Sequence, residues 1–116
     1  MRVLITGAAG QVGRELVDVF EADGHHEVIA ADRSVLDITD RDAVLGIITT
    51  NKPDVVVHPA AYTAVDNCES DVDGAYAVNA MGTRFIAEGA RRVGAPVFYV
   101  STDYVFDGTK AGPYLE

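Results

Sequence analysis

Three glycines near the amino terminus have the spacing of a phosphate-binding turn. They are Gly7, Gly10 and Gly13, and they follow the apolar run Arg2-Val3-Leu4-Ile5. Where a strand ends at a glycine and a helix begins, the first amides of that helix lack internal partners and lie at the positive end of its dipole, so a diphosphate can bind there. We interpret Gly7 as the turn residue, Gly10 as the point of close ligand approach, and Gly13 as the helix–strand contact. The G-x-x-G-x-x-G pattern therefore predicts the phosphate turn of a dinucleotide-binding fold.

An acidic residue follows this turn at the distance where such folds bind a ribose. Asp32 comes after the second predicted strand, about 20 residues beyond the turn, and its carboxylate can accept hydrogen bonds from an adenosine ribose. Arg33 is its neighbour, and a guanidinium can pair with the 2′-phosphate that a carboxylate repels. The pair is compatible with NADH and with NADPH, and the sequence leaves that choice open. The alternative interpretation is that Asp32 caps a turn of the loop.

Three further features lie at predicted strand ends or within a predicted helix. Hydroxyl groups in the run 101–108, Ser-Thr-Asp-Tyr-Val-Phe-Asp-Gly, could hydrogen-bond a substrate carbonyl, and an ordinary turn is an equally good interpretation. His58 ends an apolar strand, and we interpret it as a hydrogen-bonded core residue rather than an acid–base group. Asn79 is poorly suited to a helix interior. It indicates either a local kink or a polar group presented to the cofactor loops.

Strand-like and helix-like segments alternate along the chain, which predicts a parallel sheet covered by helices on both faces. The predicted strands are 2–5, 27–31, 54–57 and 96–100, and the predicted helices are 10–23, a helix capped by Asp40, and 71–93. We expect an α/β, Rossmann-like doubly wound parallel sheet with strand order 3-2-1-4. Because a complete fold of this type adds further strands, we expect residues 1–116 to be an NAD(P)-binding domain that is incomplete at its carboxyl-terminal end.

The composition limits the partners and the compartment. A net charge of −9 disfavours nucleic acid and anionic membranes as partners, and no apolar run approaches the roughly 18 residues of a membrane span. The single cysteine, Cys68, excludes an internal disulfide and suits a cytoplasmic protein. Asp66 and Glu69 are too isolated to form a metal site, so we expect no metal.

The chain resembles the extended short-chain dehydrogenase/reductase family, and within it the reductases that act on dTDP-linked deoxysugars. Beside the glycine turn, the likeness depends on the runs Leu36-Asp37-Ile38-Thr39-Asp40, Ala60-Ala61-Tyr62-Thr63-Ala64-Val65-Asp66 and 101–108. The turn belongs to the whole superfamily, whereas the last two runs are more specific to the sugar-nucleotide reductases. The resemblance implies NADPH or NADH as the cofactor and reduction of the C4 ketone of a dTDP-linked deoxysugar. It leaves a homodimer of the full-length protein open.

The resemblance also implies roles for individual residues. The cofactor would be bound by Gly7, Gly10, Gln11, Val12, Gly13, Asp32, Arg33, Asp37, Ile38, Ala60, Ala61, Tyr62 and Asn79. Within that set, Asp37 and Ile38 would border the adenine. Thr102 would be the catalytic hydroxyl of a Thr/Ser–Tyr–Lys triad. The residues near the sugar nucleotide would be Thr63, Val65, Asp103 and Tyr104.

The Tyr-x-x-x-Lys motif of the family does not occur in these 116 residues. In the family the lysine holds the nicotinamide ribose, and the tyrosine protonates the developing alkoxide. By position the motif would fall just beyond Glu116, so we expect this chain to be the cofactor-binding part of the enzyme and inactive alone. Two alternatives stay open. One is a reductase or epimerase of another nucleotide sugar, and the other is a non-catalytic regulatory subunit that kept the dinucleotide fold.

Overall fold

A four-stranded parallel sheet forms the centre of the molecule. In the computed structural model, which describes residues 1–115, the strands are β1 (Arg2–Thr6), β2 (Glu27–Ala31), β3 (Val55–His58) and β4 (Val97–Tyr99). They lie in the order β2-β1-β3-β4, and every neighbouring pair is parallel. With helices on both faces, this confirms the α/β, Rossmann-like doubly wound sheet.

The predicted strand order 3-2-1-4 is wrong. Residues 3–5 of β1 pair with residues 55–57 of β3, so β3 lies on the opposite side of β1 from β2. Right-handed crossovers permit both arrangements, and the crossover rule could not choose between them. The first residues of the strands carry no signal for the choice, since the central strand β1 and the edge strand β2 both begin with a charged residue, Arg2 and Glu27.

Within residues 1–115, five α-helices, one π-helical segment and one 3₁₀-helix accompany the sheet. The α-helices are α1 (Gln11–Asp23), α2 (Arg41–Asn51), α3 (Val65–Ser70), α4 (Val72–Tyr76) and α5 (Thr83–Val93). A π-helical segment, Ala77–Gly82, joins α4 to α5, and a 3₁₀-helix, Asp103–Val105, follows β4. The long helix predicted for 71–93 is therefore continuous but contains a π segment, and α3 lies in a stretch for which no helix was predicted.

Helix ends follow the local signals in the sequence. The Asp40 carboxylate accepts a hydrogen bond from the amide of Ala43 at 3.0 Å and so caps α2. The first and last α-helices both end at a glycine in the left-handed region, Gly24 with φ of 69° and Gly94 with φ of 75°. A residue with a Cβ rarely adopts that conformation, which explains why the helices stop at these positions.

The two faces of the sheet pack against different helices because side chains alternate along a strand. Val3 and Ile5 face α1, where the packed residues are Leu16, Val17 and Phe20. Leu4 and Val56 lie in the core under α2 and α5, which also contains Val78, Phe85, Ile86, Ala90 and Val93. Val19 of α1 is exposed. The paired cores fix the carboxyl ends of the strands, where the loops converge.

Candidate nucleotide-binding site

A cleft of about 870 Å³ opens at the carboxyl ends of β1, β2 and β3. Its walls come from the glycine turn, the loops after β2 and β3, and the beginning of the long helix. Twelve of the thirteen residues predicted to bind the cofactor line it: Gly7, Gly10, Gln11, Val12, Gly13, Asp32, Arg33, Asp37, Ile38, Ala60, Ala61 and Tyr62. Thr63, expected near the sugar nucleotide, lies in the same wall. An open parallel sheet binds its ligands in such a crevice.

The glycine turn is built so closely that two of its glycines admit no side chain. Gly7 has φ of 59°, and a Cβ added there would lie 2.8 Å from the Cα of Ala60. A Cβ on Gly13 would overlap the carbonyl oxygen of Gly7. The same oxygen accepts a hydrogen bond from the amide of Gly10 at 2.9 Å, which closes the turn. These contacts agree with the interpretation of Gly7 and Gly13 as turn and packing residues.

The start of α1 leaves donors available to the cleft. No side chain caps this helix, whose first residue is Gln11. The first amides of an α-helix have no partner within the helix, and together they carry about half a positive charge. Gln11, Val12 and Gly13 all line the cleft. This arrangement suits a phosphate or diphosphate group.

Asp32 both caps its loop and faces the cleft. Its Oδ1 accepts hydrogen bonds from the Ser34 hydroxyl at 2.6 Å, the Ser34 amide at 2.7 Å and the Val35 amide at 3.2 Å. These bonds, the Ser34 hydroxyl first, hold the pKa of the Asp32 carboxyl below its ordinary value. Among the residues that the structure describes, none hydrogen-bonds Oδ2. The turn-capping interpretation is therefore correct, and it leaves one oxygen for a ribose.

In the neighbouring loop, Asp37 caps a turn in the same way. Asp37 Oδ1 accepts hydrogen bonds from the Thr39 hydroxyl at 2.7 Å and the Thr39 amide at 2.9 Å. The Thr39 hydroxyl is the main cause of a lowered pKa for the Asp37 carboxyl, and the positive charge of Arg33 adds to it. Ile38, between them, is buried against Gly82 of the long helix. The loop that borders the cleft is thus fixed by its own turn and by one apolar anchor.

Asn79 does not line the cleft, but it holds a residue that does. Its Oδ1 accepts a hydrogen bond from the Tyr62 amide at 2.7 Å, and its Nδ2 donates to the Tyr62 carbonyl at 3.0 Å. Asn79 lies inside the π segment, so the irregular helix and the polar group presented to the loops occur at one residue. Such π segments are frequent at functional sites.

His58 is a hydrogen-bonded core residue, as predicted. Its side chain is fully buried, with Nδ1 2.6 Å from the Thr6 hydroxyl and Nε2 3.1 Å from the Thr83 hydroxyl. Burial lowers the pKa of His58 to about 4, so the ring is neutral near pH 7. The two threonines were not singled out in the sequence. No local pattern identifies them, because β1, β3 and α5 bring them together only in the fold.

The remaining predicted site residues lie away from the cleft. The Thr102 hydroxyl accepts from the Tyr104 amide at 3.2 Å and donates to Asp103 at 3.2 Å, and all three residues are exposed after β4. Val65 is the exposed first residue of α3. Their roles in catalysis and sugar binding stay predictions. The cleft also contains residues that were not predicted: Ala9, Leu36, Thr39, Pro59, Asp71, Gly74, Ala77 and Val78.

Residues 1–115 contain neither a candidate metal-binding cluster nor a candidate membrane-spanning helix. In that range, no group of three or more His, Cys, Asp or Glu side chains is placed to hold a metal ion. None of the helices in the same range has the length and apolar character that crossing a membrane requires. Cys68 is half-buried, and its Sγ lies 3.6 Å from the Tyr62 carbonyl oxygen.

The glycine turn, the uncapped start of α1 and the acidic loop around one cleft define a nucleotide-binding domain of the Rossmann type. Residues 1–116 match the family model described as RmlD substrate binding domain, and the chain belongs to that family. Over 115 residues the chain is 50% identical to the dTDP-4-dehydrorhamnose reductase of Aggregatibacter actinomycetemcomitans, covering 99% of this chain and 39% of that relative. The resemblance to reductases of dTDP-linked deoxysugars is confirmed.

Solved structures of relatives have the same fold. A dTDP-4-dehydrorhamnose reductase from Clostridium acetobutylicum superposes with a TM-score of 0.95 at 46% identity, covering 98% of this chain and 40% of that one. A second, from Bacillus anthracis in complex with NADP, superposes with a TM-score of 0.89 at 40% identity, covering 94% and 39%. The chain thus spans about two fifths of the length of the relatives it matches.

Proposed function

We propose that residues 1–116 are the NAD(P)-binding portion of a dTDP-4-dehydrorhamnose reductase. The whole protein would reduce the C4 ketone of dTDP-4-dehydro-6-deoxy-L-mannose to dTDP-L-rhamnose, with NADPH or NADH as reductant. The observation that carries the proposal is the cleft, where the closed glycine turn adjoins the uncapped start of α1 and Asp32. Relatives of that name, one of them in complex with NADP, support it.

The residues of the cleft fit a dinucleotide. Its volume of about 870 Å³ is within the usual range for cofactor sites, roughly 300–1,000 Å³. The amides of Gln11, Val12 and Gly13 would hold the diphosphate. Asp32 Oδ2 would accept from the adenosine ribose, and Arg33 would pair with the 2′-phosphate of NADPH. Since both side chains line the cleft, the proposal includes both cofactors.

Bound NAD(P)H would supply the hydride that reduces the ketone. The contribution of this chain would be to fix the dinucleotide and to place hydroxyls near the substrate carbonyl. Thr102 would hydrogen-bond that carbonyl, and the nucleotide sugar would contact Thr63, Val65, Asp103 and Tyr104. The Tyr-x-x-x-Lys pair that protonates the alkoxide is not among these 116 residues, so the proton donor would come from elsewhere in the whole protein.

The test is a substrate panel on the full-length protein, with NADPH oxidation followed by absorbance. We expect turnover with dTDP-4-dehydrorhamnose and none with UDP-linked or GDP-linked keto sugars. Turnover with one of those sugars instead would show a reductase or epimerase of another nucleotide sugar. Cofactor binding without turnover of any substrate would favour the regulatory subunit. If calorimetry shows that the protein binds neither NADPH nor NADH, the proposal is wrong altogether.

A further inference from the structure

We propose that His58, Thr83 and Asn79 act together as positioning residues that hold the cleft wall at Tyr62 against the glycine turn. The proposal rests on the proposed function, since it takes the cleft to be the cofactor site. It adds a role for buried residues that do not touch the cofactor. Hydrogen bonds connect the His58 ring to the Thr83 hydroxyl, and that hydroxyl to the main-chain carbonyl of Asn79.

The donors and acceptors of this network can be assigned without ambiguity. The Thr83 hydroxyl donates to the carbonyl oxygen of Asn79 at 2.8 Å, so its oxygen accepts from His58 Nε2 at 3.1 Å. A neutral imidazole that donates through Nε2 accepts through Nδ1. The Thr6 hydroxyl is therefore the donor to Nδ1, at 2.6 Å. Because the ring is neutral and fully buried, both of its nitrogens are satisfied only in this tautomer.

The network continues from the backbone of Asn79 to its side chain. The amide group of Asn79 uses its acceptor for the Tyr62 N–H and its donor for the Tyr62 carbonyl. Only a carboxamide offers both groups in that geometry; an aspartate would lack the donor. Tyr62 is half-buried and lines the cleft, so its position affects the shape of the cleft directly.

The location of Asn79 inside a π segment explains why Thr83 is needed. A π segment departs from the i→i−4 hydrogen bonding of an α-helix, and it persists only where the surroundings stabilise it. Thr83 immediately follows the segment, and its hydroxyl supplies an additional donor to the Asn79 carbonyl. His58 in turn fixes that hydroxyl. The network therefore stabilises the segment that aims the Asn79 side chain at Tyr62.

The network also connects two adjoining loops that line the cleft. Thr6 immediately precedes Gly7, and His58 immediately precedes Pro59, the first residue of the loop that contains Tyr62. Across this junction, the space beside Gly7 is so small that a Cβ there would lie 2.8 Å from the Cα of Ala60. The Thr6–His58 hydrogen bond thus sets the spacing between the glycine turn and the loop after β3. We infer that weakening the network widens or loosens the cleft.

The principal test compares Thr83→Val with Thr83→Ser in the full-length protein. Valine keeps the size of the side chain but removes the hydroxyl, whereas serine keeps the hydroxyl. We expect Thr83→Val to speed hydrogen exchange of the Tyr62 amide about tenfold and to raise the NADPH dissociation constant about three- to tenfold. Thr83→Ser should restore both values to within about twofold of the wild type.

Thr49→Val is the matched control. Thr49 is also a half-buried helical threonine, and its hydroxyl donates to the carbonyl four residues earlier, Leu45, at 2.7 Å. It lies on α2, outside the cleft. We expect its substitution to leave Tyr62 exchange and NADPH affinity unchanged. If Thr83→Val affects Tyr62 no more than Thr49→Val does, or raises exchange equally at all slow amides, the proposal is wrong.

A second pair of variants tests His58. Glutamine can place a donor near the position of Nε2, whereas asparagine reaches only the position of Nδ1. We expect His58→Gln to protect the Tyr62 amide better than His58→Asn, and the reverse order would contradict the proposal. The exchange measurement needs no cofactor. If the wild type fails to bind NADPH while Tyr62 exchange follows these variants, the cofactor assignment fails and the network stands.

Discussion

At the scale of the residue, the two carboxylate oxygens of Asp32 have different surroundings. Three hydrogen bonds converge on Oδ1, whereas Oδ2 has no partner among the residues described. The turn fixes the carboxylate before any ligand arrives, so little side-chain entropy is lost on binding. The lowered pKa keeps the group ionised well below neutral pH, and an ionised carboxylate is a strong acceptor for ribose hydroxyls.

This arrangement predicts a cofactor-dependent effect of Asp32→Ala in the full-length protein. NADH loses the ribose hydrogen bonds, whereas NADPH is also relieved of a carboxylate that repels its 2′-phosphate. We expect kcat/KM to fall about tenfold or more with NADH and by less than about threefold with NADPH. Asp32→Asn is the control, because its side-chain oxygen can still accept from Ser34 and keep the turn. An equal loss with both cofactors would remove Asp32 from the ribose site.

His58 predicts a pH dependence of stability. Its pKa is about 4 in the fold against about 6.5 in an unfolded chain, so the unfolded state binds more protons between these values. The free energy of unfolding should therefore fall by about 3 kcal/mol as the pH drops from 6.5 to 4, and His58 adds no further change below that. Urea unfolding at a series of pH values would measure the effect.

His58→Gln supplies the comparison for this titration, because glutamine does not ionise. We expect its stability to vary much less between pH 6.5 and 4.5, a window above the ordinary pKa of carboxyl groups. If the wild type and His58→Gln show the same slope in this window, the ring is not held neutral by burial.

At the scale of the element, helix caps and apolar patterns in the sequence predicted where individual helices and strands lie. Helix α1 and strand β2 end within a residue of their predicted positions, because glycine caps and apolar patterns act over a few residues. The strand order depends on which strands pair across the fold, and the crossover rule alone did not determine it. The only sequence signal for the π segment was Asn79, a residue poorly suited to a helix interior. Its partner Tyr62 comes from another loop, and His58, which hydrogen-bonds the Thr83 hydroxyl just after the segment, comes from another strand.

The turn between β1 and α1 predicts a large effect of Gly13→Ala. The added methyl group would overlap the Gly7 carbonyl oxygen, and both positions are backbone that cannot rotate away. We expect a loss of about 1–3 kcal/mol in stability and a weakening of NADPH binding by tenfold or more. Chemical denaturation and calorimetric titration would measure the two effects.

Gly46→Ala is a suitable control for that substitution. Gly46 lies in the exposed middle of α2, and a Cβ there meets nothing within 4 Å. Because alanine favours a helix by about 1 kcal/mol over glycine, we expect this variant to be slightly more stable and to bind NADPH normally. Equal affinity of Gly13→Ala and Gly46→Ala for NADPH would show that the glycine turn does not hold the cofactor.

At the scale of the whole molecule, a dinucleotide must bind against the charge of the protein. The net charge is −9, and both NADPH and NADH are anions. Local donors have to overcome this repulsion, namely the start of α1 and Arg33. The strand β4 adds a second consideration, since it carries Phe98 and Tyr99 with 65% and 47% of their surfaces exposed. An edge strand with exposed apolar side chains favours association with other surfaces.

The 116-residue chain should therefore bind the cofactor weakly and reduce no ketone. It contains the glycine turn, the start of α1 and Asp32, which under the proposed function would contact the ADP half of the cofactor. It lacks the Tyr-x-x-x-Lys motif, and Thr102 and Tyr104 lie outside the cleft. Calorimetric titration with NADPH should give a dissociation constant above that of the full-length protein, and NADPH absorbance should stay constant with dTDP-4-dehydrorhamnose. Gly13→Ala controls for specific binding. Turnover by the purified chain would show that the missing tyrosine and lysine are not required.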